Sequence, residues 1–397
     1  MLETFYQEIE TLKKNGLYRL PKVVSGSVDA TVHIDGKEMI LLSSNNYLGL
    51  ANHPDVKTAA MDALNKYGTG AGASRLISGN LEIHERLEAK TAAFKGCKDA
   101  MLFSTGYMAN IGVIATLAGK GDLILSDELN HASIIDGCRL SQAGTWIYPH
   151  LNINCLNDLL LKSVNMPVSK GCNNRFIVTD GIFSMDGDIA PLPELLELAK
   201  KYNAFLMVDD AHGTGVLGKT GKGTCEHFEL KDERIIHIGT FSKALGSLGG
   251  YVAGSKIIIE YLKNKARSFI YSTALPPSVC AASIAAIDII EKDPSIRNRL
   301  WENVCKFKTG LKHAGFKGVE SQSHIIPVVI GDVDLTMAFS KGLFKNNVFA
   351  PGIRPPTVPE KQSRIRVSLM AAHTNEHIDR VLSVFKNQGK HLGIIKG

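Results

Sequence analysis

Short apolar segments alternate with longer stretches of helical periodicity between about residues 55 and 290. This alternation is typical of an α/β domain, in which helices cover a mostly parallel sheet. We therefore predict an α/β fold built on a mostly parallel central sheet. The predicted strands include residues 100–103, 122–125, 176–179, 205–208, 235–238 and 250–253.

The two ends of the chain have a different organisation. Residues 1–16 carry a helical apolar stripe, and Asp35-Gly36 between two apolar segments predicts a β-hairpin. Beyond residue 291 we predict a helix over 295–313, a strand over 325–330, a helix over 335–345, a strand over 364–369 and a last helix capped by Thr374. We therefore divide the chain into an N-terminal segment (1–50), a large α/β domain (51–290) and a small α+β domain (291–397).

Composition narrows the class of protein. The 397 residues are 44% hydrophobic and 21% charged, and the net charge of +6 is spread along the chain without a basic cluster, so no nucleic-acid partner is expected. Seven cysteines without a Cys-x-x-Cys pair favour a reducing compartment. We see neither a signal peptide nor an apolar segment of the roughly 20 residues that a membrane span requires, and expect a cytoplasmic protein with no membrane partner.

Lys243 is the most informative single residue. It follows the strand predicted at 235–238 and is surrounded by small and hydroxyl-bearing residues. Partial desolvation in such a place lowers the pKa of the ammonium group and exposes a nucleophilic amine. Asp209 stands at the end of another apolar strand. A Schiff-base lysine together with an aspartate for a pyridinium nitrogen is the pair that pyridoxal phosphate (PLP) requires.

Two other interpretations of this region are weaker. Gly213 to Gly218 matches G-x-G-x-x-G, but loop-forming residues follow where a dinucleotide site needs a helix, so we predict a turn. A metal-dependent hydrolase could use the nearby acidic and histidine residues, but no second cluster completes a ligand set, and we predict no metal. The candidate ligands are Asp209, Asp210, His212, Glu226 and His227.

Three further features are ambiguous when each is taken alone. The amides of Gly106 and Tyr107 precede a helix predicted at 110–117 and would suit a phosphate. His131 follows another strand, at the sheet edge where ligands of α/β proteins bind. Arg364 and Arg366 share one strand face, so one could form a salt bridge and the other could hold a carboxylate. The pattern does not choose between the two arginines.

Together these segments resemble the α-oxoamine synthase family of fold-type I PLP enzymes, over residues 18–373. The resemblance implies an aspartate-aminotransferase-like fold with a seven-stranded, mostly parallel sheet and a smaller C-terminal α+β domain. It also implies a homodimer with active sites at the interface. The matching motifs are SNNYLGL (44–50), GAGASRLISG (70–79), NHASIIDG (130–137), DGIFSMDG (180–187), DDAHG (209–213), TFSK (240–243), YST (271–273) and RIR (364–366).

The resemblance implies a role for each matching residue. Lys243 would bind PLP covalently, Asp209 would pair with the ring nitrogen, and His131 would stack on the ring; with His212 these form the implied catalytic set. Ser184 and His212 would bind the ring oxygen. The implied phosphate ligands are Gly106, Tyr107, Thr240 and Thr273 of the partner subunit, and the implied substrate ligands are Asn45 and Arg366 for the amino-acid carboxylate and Arg19, Arg354 and Thr357 for the acyl group.

The segment GIRPPTVP (352–359) favours one branch of this family. That branch condenses L-alanine with pimeloyl-CoA, or with a pimeloyl carrier protein, and releases CO2 in biotin biosynthesis. A branch that uses glycine and acetyl-CoA remains an alternative, as does an aminotransferase or lyase on the same fold. A non-catalytic subunit is disfavoured because Lys243 is present. The acyl carrier and the tolerated chain length stay open.

Overall fold

The structure is a computed structural model that describes residues 2–164, 173–319 and 321–396. The strands are β1 (Val24–Ser25), β2 (Thr31–Ile34), β3 (Lys37–Leu41), β4 (Asp99–Phe103), β5 (Leu123–Asp127), β6 (Gly144–Tyr148), β7 (Arg175–Asp180), β8 (Ala204–Asp209), β9 (Ile235–Thr240), β10 (Gly250–Gly254), β11 (Ile325–Gly331), β12 (Val348–Phe349), β13 (Gly352–Ile353) and β14 (Ser363–Ser368). The helices are α1 (Leu2–Lys14), α2 (Pro54–Tyr67), α3 (Glu82–Lys95), α4 (Gly106–Leu117), α5 (Ala132–Leu140), α6 (Ile153–Val164), α7 (Leu192–Lys201), α8 (Thr224–His227), α9 (Lys256–Lys265), α10 (Arg267–Ile270), α11 (Pro277–Lys292), α12 (Pro294–Ala314), α13 (Val333–Lys345) and α14 (Asn375–His391), with a 3-10 turn at Leu50–Asn52.

A central sheet of seven strands organises the fold, in the order β4-β10-β9-β8-β7-β5-β6. Strands β5 to β9 pair in parallel, whereas β10 pairs antiparallel with both β4 and β9. The mostly parallel sheet predicted from the sequence is therefore confirmed. Strand β6 was not among the predicted strands because it lies at the sheet edge, most of its residues are exposed, and its apolar run is only three residues long.

Polar residues stand at the carboxyl ends of the parallel strands of the central sheet. Four of its parallel strands end on a polar residue, and Asp180 pairs in register with Asp209. Apolar side chains of the strands pack against helices on both faces, so the polar strand ends are held in fixed positions. The four terminal residues are Asp127 of β5, Asp180 of β7, Asp209 of β8 and Thr240 of β9. The carboxyl ends of parallel strands form the usual ligand site of an α/β sheet.

The N-terminal strands and one strand from the C-terminal part of the chain form a small sheet, in the order β1-β2-β3-β12. Strands β2 and β3 pair antiparallel, as predicted, around Asp35 and Gly36, which both have positive φ angles (52° and 75°). Strand β3 then pairs in parallel with β12. The division at residues 50 and 290 stays a prediction. Because β3 pairs with β12, we propose that the first 50 residues belong structurally with the small domain.

The helix predictions at both ends are confirmed. Helix α1 covers the N-terminal stripe, and Thr374 caps α14 by accepting a hydrogen bond from His377 N. Helix α4 begins at Gly106, four residues before the predicted start, because Thr105 caps it through Met108 N. No helix in the described ranges is long and apolar enough to cross a membrane.

A buried ion pair holds the segment after β8. Asp210 immediately follows β8, and its side chain contacts Lys95, the last residue of α3. There Lys95 Nζ lies 2.8 Å from Asp210 Oδ2, and both side chains are about 1% exposed. The backbone and hydroxyl of Thr224 also donate to Asp210. The pair therefore anchors the segment that carries Asp209.

We predict that Lys95→Met lowers the free energy of unfolding by about 3–5 kcal/mol, because it leaves the Asp210 carboxylate buried without its cation. Urea unfolding followed by circular dichroism measures the change. Lys98→Met, at an exposed lysine three residues along, is the matched control and should change the free energy of unfolding by less than about 0.5 kcal/mol. Equal effects of the two substitutions would show that the buried pair does not stabilise the fold.

Candidate active site

Lys243 lies in the turn after β9 and contacts His212. The distance from Lys243 Nζ to His212 Nε2 is 2.8 Å. Burial lowers the pKa of the Lys243 ammonium to about 8, against the opposing effect of Asp209 and Asp180, and the charge of Arg366 lowers it further. The neutral, nucleophilic form of this amine is therefore far more populated near neutral pH than in an ordinary lysine.

Asp209 is a fixed carboxylate at the end of β8. It is 7% exposed; Asn110 Nδ2 donates to its Oδ2 at 2.6 Å, and Ala211 N donates to its Oδ1 at 2.9 Å. In the described part of the chain no lysine or arginine forms a salt bridge with it. A buried carboxylate of this kind can pair with a protonated ring nitrogen.

His131 and Asp180 belong to the same edge. His131 caps α5, and its backbone N donates to Asp180 Oδ2 at 2.7 Å. Its ring Nδ1 contacts Ser133 Oγ at 2.7 Å, and the residue as a whole is exposed, which leaves the ring accessible to a planar ligand. Burial, with the negative charge of Asp209, raises the pKa of Asp180 well above its usual range. Asp180 had no predicted role.

An anion-binding cradle lies at the start of α4. The amides of Gly106 and Tyr107 are in the first helical turn, where the dipole and free N–H groups favour a negative charge. A Cβ atom at Gly106 would lie 3.1 Å from Thr240 Cβ, so glycine keeps this space open. Ser242 N donates to Thr240 Oγ1 at 3.1 Å. The predicted phosphate residues Gly106, Tyr107 and Thr240 are therefore brought together, with Ser242 beside them.

The structure separates the two arginines of β14. Arg364 is 2% exposed and forms a 2.5 Å salt bridge to Asp186, so it holds the loop that contains Ser184. Arg366 donates from Nη1 and Nη2 to Asn45 Oδ1 at 3.4 Å each, and its Nε donates to the carbonyl of Ser184. Arg366 therefore lies with Asn45, as predicted for a carboxylate-binding pair, and Arg364 is a structural residue.

The predicted acyl-binding residues form a second group. Arg19 Nη2 donates to Thr357 Oγ1 at 3.1 Å although 338 positions separate them. Arg354 donates to Tyr18 O at 3.5 Å, beside Arg19 in the chain. The N-terminal segment and the segment 352–359 thus contact each other through both arginines. Their part in substrate binding stays a prediction.

Thr273 does not join the cradle within this chain. It pairs with Ser74 in an isolated bridge, and its carbonyl accepts from Ser104 Oγ at 3.3 Å. The residue is exposed, and its neighbour Tyr271 is 73% exposed. That Thr273 of the partner subunit binds the phosphate stays a prediction.

Sequence reasoning missed residues that the geometry brings into the site. Asn110 orients Asp209, and its Oδ1 is buried without a partner. Tyr47 is completely buried with its hydroxyl 2.6 Å from His212 Nδ1. Tyr47 stands inside the matched motif SNNYLGL, but a tyrosine amid apolar residues is more often part of a core. The signal was therefore present in the motif but not in the residue type.

The residues around Lys243 fit PLP. They supply an amine of lowered pKa, a fixed carboxylate for the ring nitrogen, an accessible imidazole and a helix N-terminus for the phosphate. Two features of this structure carry the fit. The open space at Gly106 would accommodate the phosphate, and the buried Asp209, which has no salt bridge in the described residues, would meet the ring nitrogen.

Two of the candidate metal ligands, Asp210 and Glu226, form hydrogen bonds or ion pairs within the protein. Asp210 is bound by Lys95 and Thr224, and Glu226 accepts from Thr220 and from the backbone of Lys222. Within residues 2–164, 173–319 and 321–396, no group of three or more His, Cys, Asp or Glu side chains is placed to hold a metal ion. The turn at Gly213 is followed by further turns and not by the helix of a dinucleotide site.

We predict that Lys243 of the PLP-free protein reacts with acetic anhydride half-maximally at about pH 8. Only the neutral amine reacts, so its labelling rises as pH rises through the pKa. Competitive labelling followed by peptide mass spectrometry measures the profile. A model lysine peptide in the same reaction is the internal reference and should require a pH of about 10.4. Coincident profiles for the two lysines would contradict the prediction.

Comparisons with known proteins agree with this geometry. Residues 37–385 match the family model "Aminotransferase class I and II". The chain therefore belongs to the class I and II aminotransferase family. Within that family it is 50% identical to the 8-amino-7-oxononanoate synthase of Citrifermentans bemidjiense, over 99% of this chain and 100% of the relative. It is 49% identical to the synthase of the same name from Thermoanaerobacter pseudethanolicus, over 99% of this chain and 98% of the relative.

Solved structures give the same result. A serine palmitoyltransferase from S. paucimobilis superimposes with a TM-score of 0.92 at 34% identity, covering 99% of this chain and 98% of that chain. The 8-amino-7-oxononanoate synthase of Francisella tularensis superimposes with a TM-score of 0.76 at 30% identity, covering 89% and 98%. The predicted fold-type I architecture and the resemblance to α-oxoamine synthases, most of all to 8-amino-7-oxononanoate synthases, are confirmed.

Proposed function

We propose that this chain is a PLP-dependent acyltransferase that condenses L-alanine with a pimeloyl thioester. The products are 8-amino-7-oxononanoate, the free thiol and CO2, in biotin biosynthesis. The observation that carries the proposal is the 2.8 Å contact of Lys243 with His212, beside a carboxylate on Asp209 that has no salt-bridge partner in the described residues. The names of full-length relatives at about 50% identity support the choice of substrates.

PLP would be held by Lys243, Asp209, His131 and the cradle at Gly106, and when bound it supplies a ring that accepts the electron pair of the substrate's α-carbon. The chain's own residues then handle position and protons. Asn45 and Arg366 hold the amino-acid carboxylate, which orients the α-hydrogen. Lys243 Nζ is the base that removes this α-proton, because its pKa of about 8 lies near the working pH.

The acyl half of the proposal rests on charge. Pimeloyl thioesters end in a carboxylate at the far end of the acyl chain. Arg19 and Arg354 offer two guanidinium groups on two segments that contact each other, with Arg19 bound to Thr357 Oγ1 and Arg354 bound to the carbonyl of Tyr18. An acetyl group has no charge for this pair to bind. The arginine pair therefore favours a long acyl group that carries a terminal carboxylate.

A turnover assay on the PLP-loaded enzyme tests the proposal. L-alanine with pimeloyl-CoA is compared with glycine and acetyl-CoA, thiol release is followed, and products are identified by mass. We expect 8-amino-7-oxononanoate from the first pair. Product from the second pair alone would assign the chain to the glycine branch, and amino-group transfer to a keto acid without thiol release would assign it to the aminotransferases.

We further propose a homodimer in a reducing, cytoplasmic compartment. Exposed apolar side chains flank Thr273 and its partner Ser74, with Tyr271 73% and Ile77 80% exposed, and a second copy would cover them. The cysteines in the described residues are free thiols, which fits a reducing compartment. Light scattering of the purified protein measures its mass in solution, which we expect to be twice the chain mass of 43.1 kDa.

A further inference from the structure

Tyr47 connects the amino-acid-binding residues with the amine of Lys243. Its side chain is completely buried. Its hydroxyl lies 2.6 Å from His212 Nδ1 and 3.0 Å from Asn45 Oδ1. The ring of His324 packs edge-on against the tyrosine ring, with the centroids 4.1 Å apart. Packing therefore fixes the ring, and the hydroxyl stands between two polar partners.

The direction of the hydrogen bonds can be deduced, beginning at Arg366. Both Nη1 and Nη2 of Arg366 face the same side-chain atom of Asn45 at 3.4 Å. A guanidinium group only donates, so that atom of Asn45 is the amide oxygen and not the nitrogen. An amide oxygen only accepts. The hydroxyl of Tyr47 must therefore donate its single proton to Asn45.

The same reasoning fixes the tautomer of His212. Because the proton of Tyr47 points to Asn45, the hydroxyl can only accept from His212, so Nδ1 carries the ring hydrogen. Burial, aided by the charges of Lys243 and Arg366, keeps the pKa of His212 well below its usual value, so the ring is neutral. Its Nε2 is then a bare acceptor 2.8 Å from Lys243 Nζ, and the lysine donates to it.

We propose that Tyr47 is a positioning residue that sets the tautomer of His212 and so couples the Asn45–Arg366 carboxylate grip to the Lys243 amine. The proposal deepens the proposed function, on which it rests for the identity of the amino acid. The coupling depends on one atom, because in the described ranges the side-chain hydrogen bonds of His212 are to Tyr47 and Lys243. Tyr47→Phe removes that atom and keeps the ring.

The first test compares Tyr47→Phe with wild type by the acetic anhydride labelling of Lys243, on full-length chain freed of PLP. Without the hydroxyl, His212 no longer holds Nε2 as an acceptor, and the ammonium form of Lys243 loses a hydrogen bond. We expect the half-maximal pH to fall by about half a unit or more. Asp209, Asp180, Arg366, His131 and His324 also act on Lys243 electrostatically and are not substituted in the variant, so a shift follows from loss of the Tyr47 hydroxyl.

Tyr251→Phe is the matched control, because Tyr251 is also buried but its hydroxyl contacts Thr214, outside the site. Its labelling profile should coincide with that of wild type. A Tyr47→Phe profile that coincides with wild type, or that moves to higher pH, overturns the proposal. This readout requires no substrate, so it can fail or succeed independently of the proposed reaction.

Two further measurements complete the test. In wild-type PLP-free protein, the 15N chemical shifts of the His212 ring should show hydrogen on Nδ1; hydrogen on Nε2 overturns the deduction without any substitution. In the PLP-loaded enzyme, Tyr47→Phe should raise the KM for L-alanine and lower kcat, each by about threefold to tenfold, since the grip and the amine are both affected. A variant that changes stability alone would leave both constants unchanged.

Discussion

Lys243→Ala is expected to fold normally and to lower turnover by at least about 10⁴-fold. The substitution removes the amine that we propose binds the cofactor covalently and acts as the base, and in the described residues no second lysine forms a hydrogen bond with His212. Cofactor binding should weaken without being lost, because Asp209 and the cradle at Gly106 remain. Thiol release from pimeloyl-CoA with L-alanine measures the turnover.

Lys256→Ala is the control for this prediction, since Lys256 is exposed at the start of α9. It should retain full activity. Far-ultraviolet circular dichroism should show the same secondary structure in both variants. If Lys243→Ala kept more than about a hundredth of the wild-type turnover, a general base elsewhere would be required and the role of Lys243 would be wrong.

Asp209→Asn is expected to slow exchange of the alanine α-hydrogen with solvent by about 10²- to 10³-fold. Asparagine keeps the size of the side chain but loses the negative charge that can hold a proton on the ring nitrogen. Hydrogen exchange of L-alanine in D2O, followed by NMR without acyl donor, isolates this step. The affinity for PLP, measured by titration, should change far less, because Lys243 and the cradle are unaltered.

Asp62→Asn, at an exposed aspartate on α2, is the matched control for loss of one carboxylate. It should exchange the α-hydrogen at the wild-type rate. Equal exchange rates in Asp209→Asn and wild type would refute the assignment of Asp209 to the ring nitrogen. An equally large loss of PLP affinity would show instead that Asp209 acts chiefly in holding the cofactor.

The sequence predicted those parts of the fold that depend on local pattern. Apolar periodicity located the buried parallel strands, and the turn at Asp35-Gly36 located the hairpin. Strand β6 and the antiparallel direction of β10 escaped prediction, because each depends on which strand lies beside it in the sheet. Neither position nor direction within a sheet is written in a strand's own residues.

The site shows the same division between local and long-range information. Lys243 and Asp209 could be found because each follows an apolar strand, where an ionisable residue is unexpected. The choice between Arg364 and Arg366 could not be made, because both lie on one face of β14 and only their partners from elsewhere, Asp186 and Asn45, distinguish them. Tyr47 was missed for the same reason, since its partner His212 lies 165 positions away.

The pairing of β3 with β12 has a consequence for the order in which the enzyme matures during synthesis. Leu42 N donates to Phe349 O, Ser368 N donates to Leu42 O, and Ala371 N donates to Tyr47 O. The backbone that carries Asn45 and Tyr47 leaves the ribosome early, yet these three backbone hydrogen bonds form only when residues 349, 368 and 371 have been made. A chain released before β12 would hold Lys243 on a finished central sheet while lacking both Arg366 and the strand that orders Asn45. Translation thus makes the strands of the central sheet that carries Lys243 first and the strand that carries Arg366 last.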